Sequence, residues 1–522
     1  MSKVITAKQA AELILDNCTV AAATIGLSGW PQEVGAAIGE RFLETGHPKN
    51  ITFIHSCTCG DHQDNRNGSN AIAYEGLVKR LICAHTGASI HMSRLVSEGK
   101  AECYLFPQGI FPQMYRSIAG GKPGVITKVG LHTFVDPRVE GGKGNHITTE
   151  DLVEVMEMDG EEWLRYKNFA PDVALLRGTC CDEKGNMTMD EEIAFMEMLS
   201  LASAVKNRGG TVICQVKYLS TAGSLHPKAV KIPGALIDYI VVSSGVETHM
   251  QTQQTKYNPA FAGDLKVPAR EIPALALDQR KVIARRAAME LRPGYLVNLG
   301  IGMPLGISSV VAEEGFTDDI ILTTEAGGYG GTPAGGLDFG ASYNAEAMIE
   351  HGAMFDLYDG GGLDITFLGM AQVDQSGNVN VSKLGNKLNG PGGFINISQN
   401  TRNVVFCGTF TNGVKVQVRG GKLKILEEGQ NNKFVEEVMQ ITFSGKYAAQ
   451  TKQNILFVTE RCVFSLQDQK LVLTEVAPGI DVQTQILDLM PFAPKIAPNL
   501  KLMDAALFQE RWGGLGNTLQ KA

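Results

Sequence analysis

One carboxylate in this sequence stands where chemistry is done. The apolar run Ile320-Ile321-Leu322-Thr323-Thr324 ends on Glu325, and Ala326-Gly327-Gly328-Tyr329-Gly330-Gly331 follow at once. An unbroken aliphatic and β-branched run reads as a buried strand. Open α/β sheets bind ligands at the carboxyl ends of their strands, and glycine there lets a backbone or a substrate come close. Glu325 is therefore set to act as a nucleophile or a base. On this segment alone it reads equally well as an acidic residue in a glycine-rich surface turn.

Three further segments could supply partners. Gly300-Ile301-Gly302-Met303-Pro304 follows an apolar strand and opens a helix, so its amides could meet an anion or a carbonyl at the helix N-terminus. It lacks the dinucleotide pattern, since Leu305 stands where that loop needs glycine, and no Gly-Lys-Ser/Thr loop occurs anywhere. Gln108, in Phe106-Pro107-Gln108-Gly109, could donate its amide to an oxyanion, although spacing alone suits a turn residue. Asn389-Gly390-Pro391-Gly392-Gly393-Phe394 exposes backbone that could line a substrate channel.

Other groups read as structural. Cys57-Thr58-Cys59, with His55 and His62 nearby, lacks the second pair a metal site needs, so no metal is expected. The ten cysteines, adjacent Cys180 and Cys181 among them, suit reduced core positions. Glu191-Glu192 and Glu313-Glu314 read as solvated helix ends, and Arg285 and Arg286 as a solvated helix face. Gly-x-Ser-x-Gly is absent, which argues against a nucleophile-elbow hydrolase.

The elements that must position these residues occur twice. A helix (6–16) leads to the strand 19–25, a glycine–proline turn ending at Pro31, and a helix from about Gln32. Later a helix (278–291) leads to the strand 294–299, a turn ending at Pro304, and a helix from about Leu305. Each series continues to another apolar strand, at Ile51 and at Ile320. Asp182-Glu183-Lys184-Gly185-Asn186 and Asp374-Gln375-Ser376-Gly377-Asn378 are matching turns after β-prone runs. We read an N-terminal domain at 1–258, a linker at 259–276 marked by Pro259, Pro268 and Pro273, and a C-terminal domain at 277–522. Alternating strands and helices make both domains α/β with largely parallel sheets, and a site is expected in the crevice between them.

The bulk numbers are those of an ordinary soluble globular protein. Of 522 residues, 44% are hydrophobic and 20% charged. A net charge of -8 argues against a general nucleic-acid binder. Thr6 and Gln9 have capping-box spacing near the start, no secretory leader is evident, and no apolar run is long enough to span a bilayer, so a cytoplasmic location is expected.

Taken together, these residues resemble the family I coenzyme A transferases along almost the whole chain. Thr324-Glu325-Ala326-Gly327 falls where members carry Ser/Thr-Glu-x-Gly with the catalytic glutamate, and Pro107-Gln108-Gly109 resembles their glutamine motif. The segments 74–80, 133–138, 141–143, 359–364 and 391–398 look most like the single-chain acetate or propionate enzymes. Ala326 departs from the Asn of many two-subunit members, which weakens any inference about the acyl group. The resemblance implies tandem domains of the transferase and sugar-phosphate-isomerase type. It also implies ping-pong transfer of CoA between short-chain acids through a glutamyl-CoA thioester on Glu325. Gln108 and the Gly392 and Gly393 amides would hold the oxyanions. Gly300, Ile301, Gly302, Met303 and Pro304 would approach CoA or the acyl group, and Lys383 is a candidate for its phosphates. CoA is then a substrate, with no metal or redox cofactor and no nucleic-acid or membrane partner, and a homo-oligomer is expected. The competing readings are an acyl-CoA hydrolase using the same glutamate and a sugar-phosphate or effector-binding protein of related fold.

Overall fold

The computed structural model describes residues 2–268 and 274–519; Pro273, one of the three linker prolines, lies outside the described residues. The first half builds an eight-stranded sheet. Its main strands are β1 (Thr19–Ala22), β2 (Ile51–Cys57), β3 (Val78–His85), β4 (Glu102–Leu105), β5 (Val173–Asp182), β6 (Thr211–Ser220) and β7 (Tyr239–Val242). They lie in the order β7-β6-β5-β1-β2-β3-β4, every neighbouring pair parallel. Their buried faces, such as Val20, Phe53, Ile54 and Leu175, share one core cluster.

The second half repeats this order in a ten-stranded sheet. Its strands are β8 (Leu296–Leu299), β9 (Ile321–Thr323), β10 (Gly328–Tyr329), β11 (Ala347–Met348), β12 (Ile365–Gly369), β13 (Asn403–Cys407), β14 (Asn454–Val458), β15 (Cys462–Gln467), β16 (Lys470–Val476) and β17 (Lys495–Leu502). The sheet runs β11-β10-β9-β8-β12-β13-β14-β15-β16-β17. Strands β8, β12, β13 and β14 stand to one another as β1, β5, β6 and β7 do, all parallel. Parallel β9 occupies the place of β2, and antiparallel β10 replaces parallel β3. Each face of this sheet packs its own core, one around Val282, Val297 and Val405, the other around Phe355, Phe406 and Phe457.

The register makes the repeat residue-specific. Val20 pairs with Val173 and Phe53, while Val297 pairs with Ile365 and Leu322. Val173 and Ile365 are equally far from Asp182 and Asp374, and those two turns are built alike. Asp182 Oδ1 accepts the N–H of Lys184 (3.0 Å) and Asn186 (2.9 Å), and its Oδ2 accepts the Asn186 amide (2.9 Å). Asp374 does the same with Ser376 (2.9 Å), Asn378 (3.1 Å) and the Asn378 amide (2.9 Å). With Phe53 matched to Leu322, the counterpart of Glu325 is Ser56.

The helix expected at 6–16 is shorter, Ala7–Glu12, opened by the expected capping box on Thr6 and Gln9. Asp16 is used instead to accept the Lys49 N–H at 2.9 Å and to face the His47 ring. The second-half helix spans Gln279–Ala288, with Asp278 as its cap.

Several charges expected in solvent are buried. Arg285 gives its guanidinium to the carbonyls of Leu507, Gln509 and Glu510, and Arg286 forks onto Glu475 at 2.8 Å. Both sit on a helix packed against the second core, so a cation there needs a full set of acceptors. Lys281 is buried as well and pairs at 2.7 Å with Glu313, which itself stays at the surface as a helix-end carboxylate should. Glu192 is buried beside Arg177 (3.2 Å) and His249 (3.3 Å). Burial alone pushes its carboxyl up, but Arg177 and His249 hold it down at about 2. Among the described residues no helix is long and apolar enough to cross a membrane.

The halves dock along a polar seam. Phe134 N–H donates to the Ile441 carbonyl (2.8 Å), Gly130 N–H to Gln399 (2.7 Å), Gln440 to Glu140 (2.7 Å) and Thr252 to Asp338 (2.6 Å). Deeper in, Asp359 accepts the amides of Gln113 (2.9 Å) and Asn396 (2.8 Å).

Candidate active site

Strand β9 ends at Thr323, and the chain then folds tightly: Gly327 N–H returns to the Thr324 carbonyl and Thr324 N–H reaches the Gly328 carbonyl, each at 3.0 Å. Gly327 has φ +115°, and a Cβ there would lie 2.0 Å from the Ile349 carbonyl oxygen, so only glycine fits. This turn holds Glu325 over the strand ends, facing a cavity of about 430 Å³.

Both halves wall the cavity. Ile25, Leu27, Cys57, Thr58, His85 and Gln108 come from the first, and Gly300, Ile301, Phe339, Gly392, Gly393 and Phe394 from the second. The structure thus brings Glu325 together with Gln108, Gly300, Ile301, Gly392 and Gly393. Gly302, Met303 and Pro304 do not line the cavity. Met303 packs on the second core, and Met303 and Pro304 give their carbonyls to the amides that start the next helix. The loop presents its first two residues to the cavity and uses the rest to turn the chain. Ile301 is 62% exposed there.

Glu325 has little polar company. Its Oε1 faces the Asn298 amide at 3.5 Å, a weak contact. Desolvation raises its carboxyl above the ordinary value, only partly offset by its own backbone N–H, Asn298 and His351. A desolvated carboxylate is held less firmly than one in water and is the more reactive for it. Gly393 lies against it: a Cβ at that residue would sit 3.3 Å from Glu325 Cγ.

Gln108 follows β4, and its backbone N–H donates to the Gly392 carbonyl at 2.9 Å. Its side-chain amide meets His351 Nε2 at 3.2 Å, and its Oε1 accepts from the Cys57 thiol at 3.5 Å. The expected pair of backbone donors is halved. Gly392 N–H is already given to the Ala84 carbonyl at 2.9 Å, because that loop must lie on the end of β3. The Gly393 N–H has no acceptor among the described residues and remains the available donor.

Three residues here escaped sequence reading. His351 opens the helix His351–Asp359 and Glu197 precedes the helix Met198–Asn207. They meet at 2.7 Å although 154 positions apart, and Ser56 donates to the same carboxylate at 2.6 Å. No local pattern marks such a meeting; only the doubled sheet order could have pointed to Ser56. Lys383 stands beside Glu140 rather than in the cavity wall. Among the described residues no group of three or more His, Cys, Asp or Glu is arranged to hold a metal ion.

Comparison with known proteins agrees with this geometry. Residues 4–243 match the family model for coenzyme A transferase. The chain is 53% identical to caffeate CoA-transferase of Acetobacterium woodii, covering 100% of both chains. It is 42% identical to acetate CoA-transferase YdiF of Escherichia coli K12, covering 97% of this chain and 95% of that one. The crystal structure of the acyl-CoA transferase YdiF of E. coli O157:H7, in a thioester complex with CoA, superposes with a TM-score of 0.92 at 40% identity, over 98% of this chain and 97% of that one.

Proposed function

The chain belongs to the coenzyme A transferase family, and from that premise we propose that it passes CoA between short-chain carboxylic acids of the acetate and propionate type, with Glu325 as the covalent carrier. The observation that carries this reading is a single poorly solvated carboxylate in a cavity walled by both halves, with Gln108 and Gly393 in the same wall.

The reaction needs such a carboxylate. A free acid is a poor electrophile in water, whereas exchange between two carboxylates is nearly symmetric. Glu325 attacks the acyl-CoA carbonyl, and the thioester C–S bond breaks to give an acyl-glutamyl anhydride and CoA thiolate. The thiolate attacks the glutamyl carbonyl, the first acid leaves as its carboxylate, and Glu325 holds CoA as a thioester. A second acid reverses the steps. Each addition places negative charge on a carbonyl oxygen, and in this reading the Gln108 amide and the Gly393 N–H receive it. Removing one such donor costs about 10²–10³ in rate. Gly300 and the exposed Ile301 give CoA a close-fitting wall. The same reading makes CoA a substrate, needs no metal or redox cofactor, and puts the enzyme in the cytoplasm as a homo-oligomer.

A second reading of the acid has its own support. Ile25, Leu27 and Phe339 make much of the cavity apolar, and the Acetobacterium relative is a caffeate CoA-transferase. Aromatic propenoates are therefore included among the acceptors.

Intact mass after incubation with acetyl-CoA or propionyl-CoA, without acceptor, tests the carrier: a CoA-sized adduct on the Glu325 peptide is expected. Transfer without any adduct would overturn it. Labelled acetate, propionate and caffeate as competing acceptors rank the acids. CoA release without transfer to any acid would favour a hydrolase.

A further inference from the structure

A chain of hydrogen bonds runs from the end of β2 to Gln108 and crosses the seam twice. Ser56 Oγ donates to Glu197 Oε1 at 2.6 Å, Glu197 Oε2 faces His351 Nδ1 at 2.7 Å, and His351 Nε2 faces the Gln108 amide nitrogen at 3.2 Å. Ser56, Glu197 and Gln108 belong to the first half and His351 to the second. His351 and Ser56 are 0% exposed and Glu197 3%. We propose that Glu197 and His351 are a positioning pair, which fixes the Gln108 amide so that one of its N–H groups stays free for the oxyanion. This rests on the reading of Gln108 given above.

The orientation follows from the donors and acceptors. A carboxylate accepts only, so Glu197 keeps a proton on His351 Nδ1, and in the neutral ring Nε2 then carries a lone pair. That lone pair attracts the NH₂ end of Gln108 and repels the oxygen end. On the other side the Cys57 thiol offers a hydrogen to Gln108 Oε1. Turning the amide over would set oxygen against a lone pair and NH₂ against a donor, so both neighbours enforce one orientation. The NH₂ group has two hydrogens. His351 takes one, and the other belongs to a side chain that lines the cavity.

The backbone supports the same arrangement. Met196, directly before Glu197, is buried in the left-handed region at φ +52°, uncommon for a residue with a side chain. Its carbonyl accepts the His351 N–H at 3.2 Å. Such a conformation persists only where its surroundings over-determine it. Here it aims Glu197 at the ring whose own backbone holds it. Because His351 comes from the second half, the amide is set only when the halves are docked.

The test is a double-mutant cycle with kcat and KM measured separately. His351→Phe keeps a ring but no nitrogen. It is expected to lower kcat about tenfold to a hundredfold, a fraction of what a lost oxyanion donor costs, with KM for acyl-CoA nearly unchanged. In a Gln108→Ala background it is expected to cost almost nothing more, since its effect passes through that amide. Equal losses in both backgrounds, or a Gln108→Ala enzyme with wild-type kcat, would overturn the proposal. Glu197→Gln, close in shape but neutral, is the second arm should the first variant not fold. It is expected to give a smaller loss in kcat that is likewise absent without Gln108, and an unchanged or background-independent kcat sinks the proposal. The CoA adduct separates the two levels of argument. A wild-type enzyme without it removes the covalent carrier, whereas an adduct with an additive cycle removes only the positioning pair.

Discussion

At matched ends of their second strands the two halves put Ser56 and Glu325. On their inner side the two sheets share the same strand order, the same parallel pairing and the same aspartate turn, after β5 and after β12; on the outer side parallel β3 gives way to antiparallel β10. What differs is polar company. Ser56 is committed to Glu197 at 2.6 Å, whereas the one side chain that meets Glu325 among the described residues is Asn298, at 3.5 Å, and a cavity lies before it. One scaffold thus makes a structural end and a reactive end, and the reactive one is made by withholding partners. Such a group costs stability and is kept where its reactivity is used.

The largest effect expected is at the reactive end. Glu325→Ala should remove the CoA adduct and lower transfer by roughly four orders of magnitude or more, the scale of losing a covalent nucleophile. Adduct mass and labelled transfer measure both, and near-normal transfer would erase the contrast with Ser56. Next come the turns on which the match rests. Asp182→Ala and Asp374→Ala should each cost about 2 kcal/mol in urea unfolding, as buried donors lose a charged acceptor. The first should cost slightly more, because Asp182 also accepts the Gly223 N–H at 3.1 Å. Widely different costs would show that the turns only look alike.

The structural end should respond more gently. Ser56→Ala is expected to leave the adduct in place and lower kcat about tenfold, the worth of one hydrogen bond to a charged group. Loss of the adduct would make Ser56 part of the reaction and break the comparison. A further effect concerns pH. Burial raises the Asp359 carboxyl to about 7, against the opposing pull of the Asn396 and Gln113 amides. A raised acid binds its proton more tightly folded than unfolded, where its value is about 4. Its contribution to stability is then complete below pH 4 and lost as pH rises to about 7. Asp359→Asn should flatten this part of the melting-temperature profile between pH 4 and 7; profiles that stay parallel would contradict it.

Much of this was readable in the chain because it depends on neighbours in sequence. Period and composition locate the strand before Glu325, the glycine turn after it and the paired Asp-x-x-Gly-Asn turns. The resemblance of Pro107-Gln108-Gly109 adds the facing amide. What could not be read depends on distant partners. His351 and Gln108 are 243 positions apart. Arg286 looks like any helix-surface arginine until Glu475 is folded onto it. The Gly392 amide was misjudged for the same reason, since its acceptor is a carbonyl on the opposite half. A sequence shows which donors exist but not which are already spent.

The seam between the halves carries one more consequence. None of the described residues of the 259–276 connection lines the cavity, and the bonds from Phe134 to Ile441 and from Gln113 to Asp359 need no covalent link between their partners. That segment is itself packed, with Phe261 in the first core and Val267 bonded to Asn344, and by joining both halves it makes their docking a unimolecular event. Once it is severed, two complementary polypeptides would still assemble the site, but activity would fall on dilution, as it does not for an intact chain.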